Sequence, residues 1–280
     1  MGWVLAVAVV LMAGILIWLV VPYSPARAEF ARLTAYQIGK TTSQGGIITA
    51  EDVAHLPRPV QKHFQYCGYI GKAKMANMSI HFDDVDFVLD PSKPKLKIKY
   101  TQYNSADEPE RIAYIDTSLY GIPFEGIDAY QNGAGSMRGV IAKAITLFDQ
   151  RGAAMDRASL VTFLSESLFL PTAALQDYIS WQEIDETHAQ AVINYYGISA
   201  KGIFTFGDDG AMVSFTTDDR ENTDTRGNVQ KAKWSAICAD YQEVDGIKFP
   251  AHLKAVWHFE TGDLEYFDGR DITVKYDVSQ

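Results

Sequence analysis

The chain has 280 residues, 47% of them hydrophobic and 12% aromatic, so it can bury a sizeable core, and this excludes wholesale disorder. Its 35 Asp and Glu outnumber its 25 Lys and Arg, giving a formal net charge of -10. That balance argues against a nucleic-acid partner, because phosphate binding needs a basic surplus. The two cysteines, Cys67 and Cys238, form no CxxC pair, which excludes a disulfide scaffold and a thiolate zinc site.

The N-terminal segment is apolar. Trp3 to Val21 is a run of nineteen residues without a charged or strongly polar side chain. As a helix it would span roughly 28 Å, close to the hydrocarbon thickness of a bilayer. We therefore expect residues 1–23 to form a single uncleaved transmembrane anchor. A cleaved signal peptide is the alternative, because residues 26–28 read Ala-Arg-Ala, but the run is long for a signal and no basic residue precedes it.

The side of the membrane on which the rest of the chain lies stays open from these residues. The basic residues that follow the run, Arg27, Arg32, Lys40 and Arg58, favour a cytoplasmic domain by the positive-inside rule. The Ala-x-Ala pattern at residues 26–28 favours the opposite side.

The region after the anchor divides into a linker and one domain. Residues 24–48 are mixed in composition and contain Gly45-Gly46, which predicts a linker or a loosely docked segment. Thr49, with an acid at the third helical position, predicts the start of a short helix. Pro59 fits the first turn of a second helix, which Gly68 ends. We expect residues 49–280 to form a single domain.

Most of that domain is predicted to be antiparallel strand. From Lys72 to Tyr130 the hydropathy period is two, and residues 95–100 alternate between Lys and an apolar side chain. The turn sequences at residues 208–210 and 244–246 predict hairpins. The expected strands lie near residues 92–103, 110–120, 123–130, 135–148, 178–185, 188–196, 199–206, 211–219, 231–244, 247–260 and 264–278.

One helix interrupts these strands, at about residues 156–170. Its apolar stripe has helical spacing, and Thr162 and Glu166 lie on the opposite, polar side, which we expect to face solvent. About eleven strands with one helix predict an α+β, mainly antiparallel fold. A sheet of that size must curl to bury its dry face, so we expect a half-barrel with helices at its mouth.

Several segments resemble a bacterial family of unknown function whose members are often membrane-anchored. They are Leu56-Pro57-x-Pro59-Val60-Gln61, the sequence of residues 169–175, Asp219-Arg220, and the hairpin of residues 240–250. The resemblance covers about residues 50–278 and implies no catalytic residues. The hairpin is also similar to one in lipoprotein carriers of the LolA/LolB type. That likeness implies an unclosed antiparallel half-barrel that holds acyl chains under lid helices, and it favours a domain outside the cytoplasm.

No motif specifies catalysis or a cofactor. The six histidines have no metal-ligand spacing, and His252 and His258 are expected on the solvated face of one strand. Residues 83–86 are acidic but lack the glycine and glutamate of an EF-hand loop, so strand-edge solubility is the better interpretation. The sequence contains no GxSxG, Walker or GxGxxG motif. We expect neither a metal nor a nucleotide cofactor.

Three hypotheses for function follow. The favoured one is a membrane-anchored, non-enzymatic domain that binds a lipid or acyl chain in an apolar cavity between helix and sheet. The second is a hydrolase-like enzyme that uses Glu166 and Asp219, and the third is a structural, membrane-attached interaction domain. The oligomeric state and the pairing of Cys67 with Cys238 stay open. The expected ligand-binding residues are Leu160, Phe163, Leu164 and Leu168 on the helix, and Trp234, Leu253, Trp257 and Phe259 on the strands.

Overall fold

The computed structural model describes residues 2–42 and 45–279. Its helical elements occupy the N-terminal part of the chain and the segment between the two sets of strands. A 3₁₀ turn, Ser167–Phe169, joins the last two helices. The helices are α1 Gly2–Val20, α2 Pro25–Lys40, α3 Ala50–Val53, α4 Arg58–Tyr66, α5 Ala153–Glu166 and α6 Pro171–Ala174.

The strands form one large antiparallel sheet and one small hairpin. The large sheet has 13 strands in the order β6-β5-β4-β3-β2-β1-β15-β14-β13-β10-β9-β8-β7, and β11 pairs with β12 in a separate two-stranded sheet. The strands are β1 Asn77–Phe87, β2 Leu96–Ser105, β3 Arg111–Leu119, β4 Ile122–Gln131, β5 Ala134–Ile141, β6 Ile145–Arg151, β7 Ile179–Glu183, β8 His188–Tyr195, β9 Ile198–Phe206, β10 Met212–Thr217, β11 Glu221–Thr223, β12 Val229–Lys231, β13 Lys233–Val244, β14 Ile247–Phe259 and β15 Gly262–Tyr276.

The pairing of β1 with β15 joins two meanders into one curled sheet that does not close. Strands β1 to β6 form the first meander, and β7 to β10 with β13 to β15 form the second. Within the described residues, β6 and β7 are the two edges. Helix α5 follows β6 and contacts strands of both meanders, including β5 and β9, so it lies over the concave face. The α+β, mainly antiparallel half-barrel predicted from the sequence is confirmed.

The strand count differs from the expected eleven in three places. The sequence prediction missed β1, whose acidic residues were interpreted only as edge solubility, and it missed the β11–β12 hairpin. The expected strand at 135–148 is two strands, β5 and β6. They meet at Ala142 and Lys143, whose φ angles are 52° and 62°. Left-handed backbone at two residues that are not glycine gives no turn signal in the sequence.

The predicted turn at residues 244–246 is a two-residue hairpin between β13 and β14. Asp245 and Gly246 have φ angles of 52° and 74°, as a type I′ turn requires. The turn packs on the end of α4, where Gly68 has a φ of 74° and where a Cβ would lie 2.4 Å from the Gly246 carbonyl oxygen. The Lys248 amide donates to the Cys67 carbonyl at 3.0 Å. Gly68 is therefore required for both its backbone conformation and its lack of a side chain.

Residues 25–40, expected to belong to a linker or loosely docked segment, form α2 on the outer face of β2, β3 and β4. Residues 43 and 44 of that segment lie outside the described part of the chain. Ser24 caps the helix and its hydroxyl donates to Glu125 at 2.5 Å. Half of the 16 helix residues are apolar, but four of these eight are alanines, so the segment shows no clear helical period. The apolar contact consists of Ala26, Phe30 and Leu33 against Ile112, Tyr114, Ile127 and Ala129.

Candidate functional site

A cavity of about 480 Å³ lies between the concave face of the sheet, helix α5 and the β11–β12 hairpin. This volume falls within the range of about 300–1,000 Å³ that is usual for small-molecule sites. Its wall is mainly aromatic and aliphatic on the sheet. Polar groups line it on α5, on β2, β3 and β4, and along residues 220–226. The apolar lining includes Ile80, Phe82, Phe87, Ile115, Phe148, Leu264 and Phe267.

The strand residues predicted for the site line this cavity together. Trp234 on β13 is paired in register with Trp257 on β14. Leu253 and Phe259 lie on the same strand as Trp257, at even spacing, so all three point to the concave face. The alternation of β14 therefore identified one wall of the cavity.

The helix residues predicted as its lid lie elsewhere. They are fully buried in the core and do not line the cavity; they are Leu160, Phe163, Leu164 and Leu168. Helix α5 instead presents its other side to the cavity, including Thr162 and Glu166. The expectation that this side faces solvent was wrong. Helix α5 contacts the sheet on several sides, so its polar side lies inside the half-barrel rather than outside it.

Glu166 belongs to a buried polar cluster at the cavity wall. Its Oε2 atom accepts hydrogen bonds from Gln102 Nε2 at 2.6 Å, Asn104 Nδ2 at 2.9 Å and Arg111 Nε at 3.2 Å. Arg111 is only 3% exposed and also donates to Asp128 Oδ2 at 2.7 Å. Burial raises the pKa of Glu166, an effect that the Arg111 guanidinium opposes. Two carboxylates facing one guanidinium give the cluster a net negative charge when both are ionised.

The catalytic alternative placed Glu166 and Asp219 in one site. Asp219 does not line the cavity, and its Oδ2 atom accepts the Lys201 backbone N–H at 2.9 Å. Glu166 is held by three donors on one oxygen, which is the arrangement of an ion-pair network. The structure therefore does not bring these two carboxylates together as an acid/base pair.

Arg220, which the sequence showed only as part of the Asp219-Arg220 segment of the family resemblance, lines the cavity. Its guanidinium lies 4.4 Å from the ring centroid of Trp234 and 5.5 Å from that of Trp257. One of its terminal nitrogens donates to Thr162 Oγ1 at 2.5 Å. Its Nε atom is buried and has no hydrogen-bond partner among the described residues. The family segment marked the position but not its surroundings, because its neighbours in sequence are acidic and its contacts come from α5, β13 and β14.

The β11–β12 hairpin covers part of the cavity next to Arg220. Its residues Glu221 to Thr223 and the following turn line the cavity. Gln150 on edge strand β6 donates to the carbonyl oxygens of Thr223, at 3.4 Å, and Asp224. The Asp224 carboxylate accepts the Arg226 and Asn228 backbone N–H groups at 2.8 and 2.9 Å, which orders the turn. The hairpin thus joins an edge of the sheet to the mouth of the cavity.

The remaining titratable candidates lie outside the cavity. His252 was expected on a solvated face but is only 8% exposed, and its Nε2 atom lies 2.6 Å from Asp268 Oδ1. His258 contacts Asp263 at 2.8 Å. Among residues 2–42 and 45–279, no group of three His, Cys, Asp or Glu side chains is arranged to hold a metal ion.

The two cysteines are buried free thiols, and neither has the properties of a nucleophile. Burial raises the pKa of Cys67 to about 12, and burial lowers the pKa of His63, whose Nε2 lies 3.5 Å from the sulfur, to about 4. Both groups are therefore neutral near pH 7, whereas a reactive cysteine requires a thiolate.

A curled, unclosed sheet around an internal cavity defines this chain as a half-barrel protein. The chain belongs to DUF6544, a family of unknown function, whose sequence profile matches residues 46–269. This confirms the resemblance to a family of unknown function that was predicted from the sequence. No curated protein matches the chain.

Three solved structures are similar to the chain at low identity. A LolA superfamily protein from Nitrosomonas europaea is 8% identical, with a TM-score of 0.40, over 76% of this chain and 92% of that one. A domain named for outer membrane lipoprotein sorting, from Vibrio parahaemolyticus, is 10% identical, with a TM-score of 0.40, over 74% and 86%. A DUF1329 family protein from Desulfovibrio piger is 12% identical, with a TM-score of 0.35, over 84% and 95%.

Proposed function

We propose that this protein is a membrane-anchored, non-enzymatic domain that binds a lipid or acyl chain inside its half-barrel. The observation that carries the proposal is the cavity of about 480 Å³ bordered by Trp234, Leu253, Trp257 and Phe259. Apolar side chains that border a void lose dispersion contacts, and an apolar ligand restores them. A purely structural domain has no use for such a void.

Helix α1 supports attachment to a membrane. It has a mean hydropathy of 3.1 over its most apolar window, and none of its residues is buried. Large side chains such as Trp3, which is 88% exposed, would stand in water unless lipid surrounds them. A signal sequence passes the same test, so the anchor is part of the proposal.

The end of α1 is fixed to one edge of the half-barrel. Trp18 Nε1 donates to the Ala142 carbonyl at 3.0 Å. Lys143 Nζ donates to the carbonyl oxygens of Trp18, at 3.2 Å, and Val21. A cation at the C-terminal end of a helix satisfies carbonyls that have no partner within it. If α1 lies in the bilayer, it holds the β5–β6 turn at the membrane surface. The β11–β12 hairpin, which covers part of the cavity, contacts β6, the strand that follows this turn.

Binding is favoured over catalysis for a specific reason. Glu166, which would have been the general acid, already accepts three hydrogen bonds, and Asp219 lies outside the cavity lining. We place the domain outside the cytoplasm because its hairpin at residues 240–250 is similar to one in lipoprotein carriers. In that setting the ligand would come from the membrane that holds α1.

The experiment compares a cavity-filling variant with a matched control on the same strand. Ala236 lines the cavity, whereas Ala239 lies on the opposite face of β13. Full-length Ala236→Phe and Ala239→Phe proteins would be purified from membranes, and their copurifying lipids would be extracted and measured by mass spectrometry. Lipid around α1 is common to both, so a species reduced only in Ala236→Phe reports the cavity. Identical lipid profiles in two folded variants would contradict the proposal.

A further inference from the structure

We propose that Arg220 binds the anionic headgroup of a single-chain amphiphile whose apolar tail occupies the cavity. This inference rests on the proposed function and names the ligand class. The shared chemistry is a compact oxyanion, either a carboxylate or a phosphate, at the end of an acyl chain.

Within the described part of the chain, Arg220 differs from the other cations that line the cavity in having no carboxylate partner. Arg111 is paired with Asp128 and Glu166. Lys254 lies 2.8 Å from Glu265, and Arg226 lies 3.5 Å from Asp224. Arg220 has no carboxylate within 4.0 Å among the residues that the structure describes, although Glu221 adjoins it in sequence. Its positive charge is therefore available to a ligand.

The Arg220 side chain is already held in place by its neighbours. The faces of two tryptophans and the Thr162 hydroxyl fix the guanidinium in one position, so binding an anion does not require freezing a flexible side chain. Guanidinium groups match carboxylate and phosphate oxygens with two parallel hydrogen bonds. A preorganised arginine inside an apolar cavity is well suited to recognise one oxyanion.

The Arg220 side chain also contains a hydrogen-bond donor that is unsatisfied among the described residues. Arg220 Nε is buried and has no hydrogen-bond partner within the described chain. Buried polar groups in folded proteins nearly always have a partner, and an exception calls for an explanation. An anionic oxygen from a ligand would supply the missing acceptor. Glu221 and Asp224 also line the cavity, but within residues 2–42 and 45–279 no carboxylate oxygen lies within 4.0 Å of the Arg220 side-chain nitrogens.

The polar cluster on α5 restricts where the headgroup can lie. Thr162, which contacts Arg220, is one helical turn from Glu166. When both carboxylates are ionised, the net negative charge of Glu166 and Asp128 against Arg111 disfavours an anion beside that cluster. We therefore place the headgroup on the Arg220 side. There the lining contains two cations and two carboxylates, namely Arg220, Arg226, Glu221 and Asp224. The tail then extends along the apolar wall that contains Phe82 and Phe267.

The test uses the full-length protein in detergent and four probes in two matched pairs. A fatty acid is compared with the fatty alcohol of the same chain length, and a lysophosphatidic acid is compared with the matching monoacylglycerol. Bound amphiphile is counted by native mass spectrometry over a titration. Arg220→Gln removes the charge, and Arg220→Lys keeps it without the planar fork. Arg151→Gln is the control, since that arginine lies outside the cavity lining and its Nε atom is 2.9 Å from Asp149 Oδ1.

We expect Arg220→Gln to weaken binding of at least one anionic probe by about tenfold or more, with its neutral partner unchanged. Arg220→Lys should lose less, and Arg151→Gln should match the wild type. The anionic probe that loses affinity identifies the carboxylate or the phosphate as the recognised group. Equal loss for anionic and neutral probes would show that Arg220 only shapes the cavity, and would overturn the inference. If the wild type binds the neutral probes but shows no dependence on Arg220, headgroup recognition fails while the cavity proposal stands. If it binds no probe, both fail.

Discussion

Replacing Arg111 by Met tests whether the polar cluster beside the cavity is a stabilising ion-pair network. Arg111 is 3% exposed, and Asp128 and Glu166, which it contacts, are 23% and 16% exposed. The substitution leaves two partly desolvated carboxylates without their common cation. Breaking a buried ion pair by removing one partner typically destabilises a protein by about 3–5 kcal/mol. For a domain of this size, about 2–4 °C per kcal/mol converts that loss to a fall in Tm of roughly 6–20 °C.

The pH dependence of this loss has a definite sign. The folded-state pKa of Glu166 is raised by burial, so its contribution to stability is present at low pH and is lost as the pH rises through the folded pKa. Arg111 opposes that rise, and removing it raises the pKa of Glu166 further. The Arg111→Met protein should therefore be destabilised less at pH 5 than at pH 8, because a protonated Glu166 needs no counter-ion.

The assay is thermal unfolding of the full-length protein in detergent, followed by circular dichroism at both pH values. Arg27→Met is the matched control, because Arg27 and Asp116 form an exposed ion pair, 51% and 40% exposed, worth less than about 1 kcal/mol. Adding Glu166→Gln to Arg111→Met should recover part of the loss. A Tm change no larger than that of the control would refute the network interpretation.

Three further predictions concern a histidine, a glycine and the apolar helix. The pKa of buried His63 is lowered to about 4, so stability present above about pH 6.5 is lost as the pH falls, by about 3 kcal/mol in all; acid unfolding of His63→Gln should lack that slope. Gly68→Ala should lower the free energy of unfolding by at least about 1–3 kcal/mol in urea titration, and more than Gly71→Ala, where φ is also positive but nothing lies within 4 Å. Deleting Gly2–Val20 should move the protein from the membrane fraction to the soluble fraction. A full-length chain that stays soluble would contradict the anchor.

The local structure of the second meander and of the first short helix, α3, could be predicted from the sequence alone. Residues 251–259 alternate apart from Val256, and β14 places Leu253, Trp257 and Phe259 on the cavity wall. The Asp245-Gly246 turn and the Thr49 cap of α3 formed as predicted, the cap as a reciprocal hydrogen-bonded box with Asp52. These features depend on side-chain periodicity and on backbone preferences of a few consecutive residues. Such information is complete within each segment.

The side of α5 that faces the cavity is set by contacts between elements distant in sequence. The spacing of Leu160, Leu164 and Leu168 correctly indicates a buried face, but a helix surrounded by a curled sheet is buried on more than one side. The polar side of the helix then meets Arg111, which lies 55 positions earlier in the chain and on the first meander. Hydropathy distinguishes polar from apolar residues. It does not show whether a polar residue faces solvent or belongs to a buried ion-pair network.

The position of Arg220 depends on the same long-range geometry. The residue follows β10, and its contacts are Thr162 on α5 and two tryptophans on β13 and β14. These groups meet because β15 pairs with β1 and curls the two meanders around one helix. Pairing between strands distant in sequence is set by the summed burial of the whole sheet rather than by any one segment. The cavity and the unpaired Arg220 are therefore properties of the curled sheet as a whole, which no local pattern encodes.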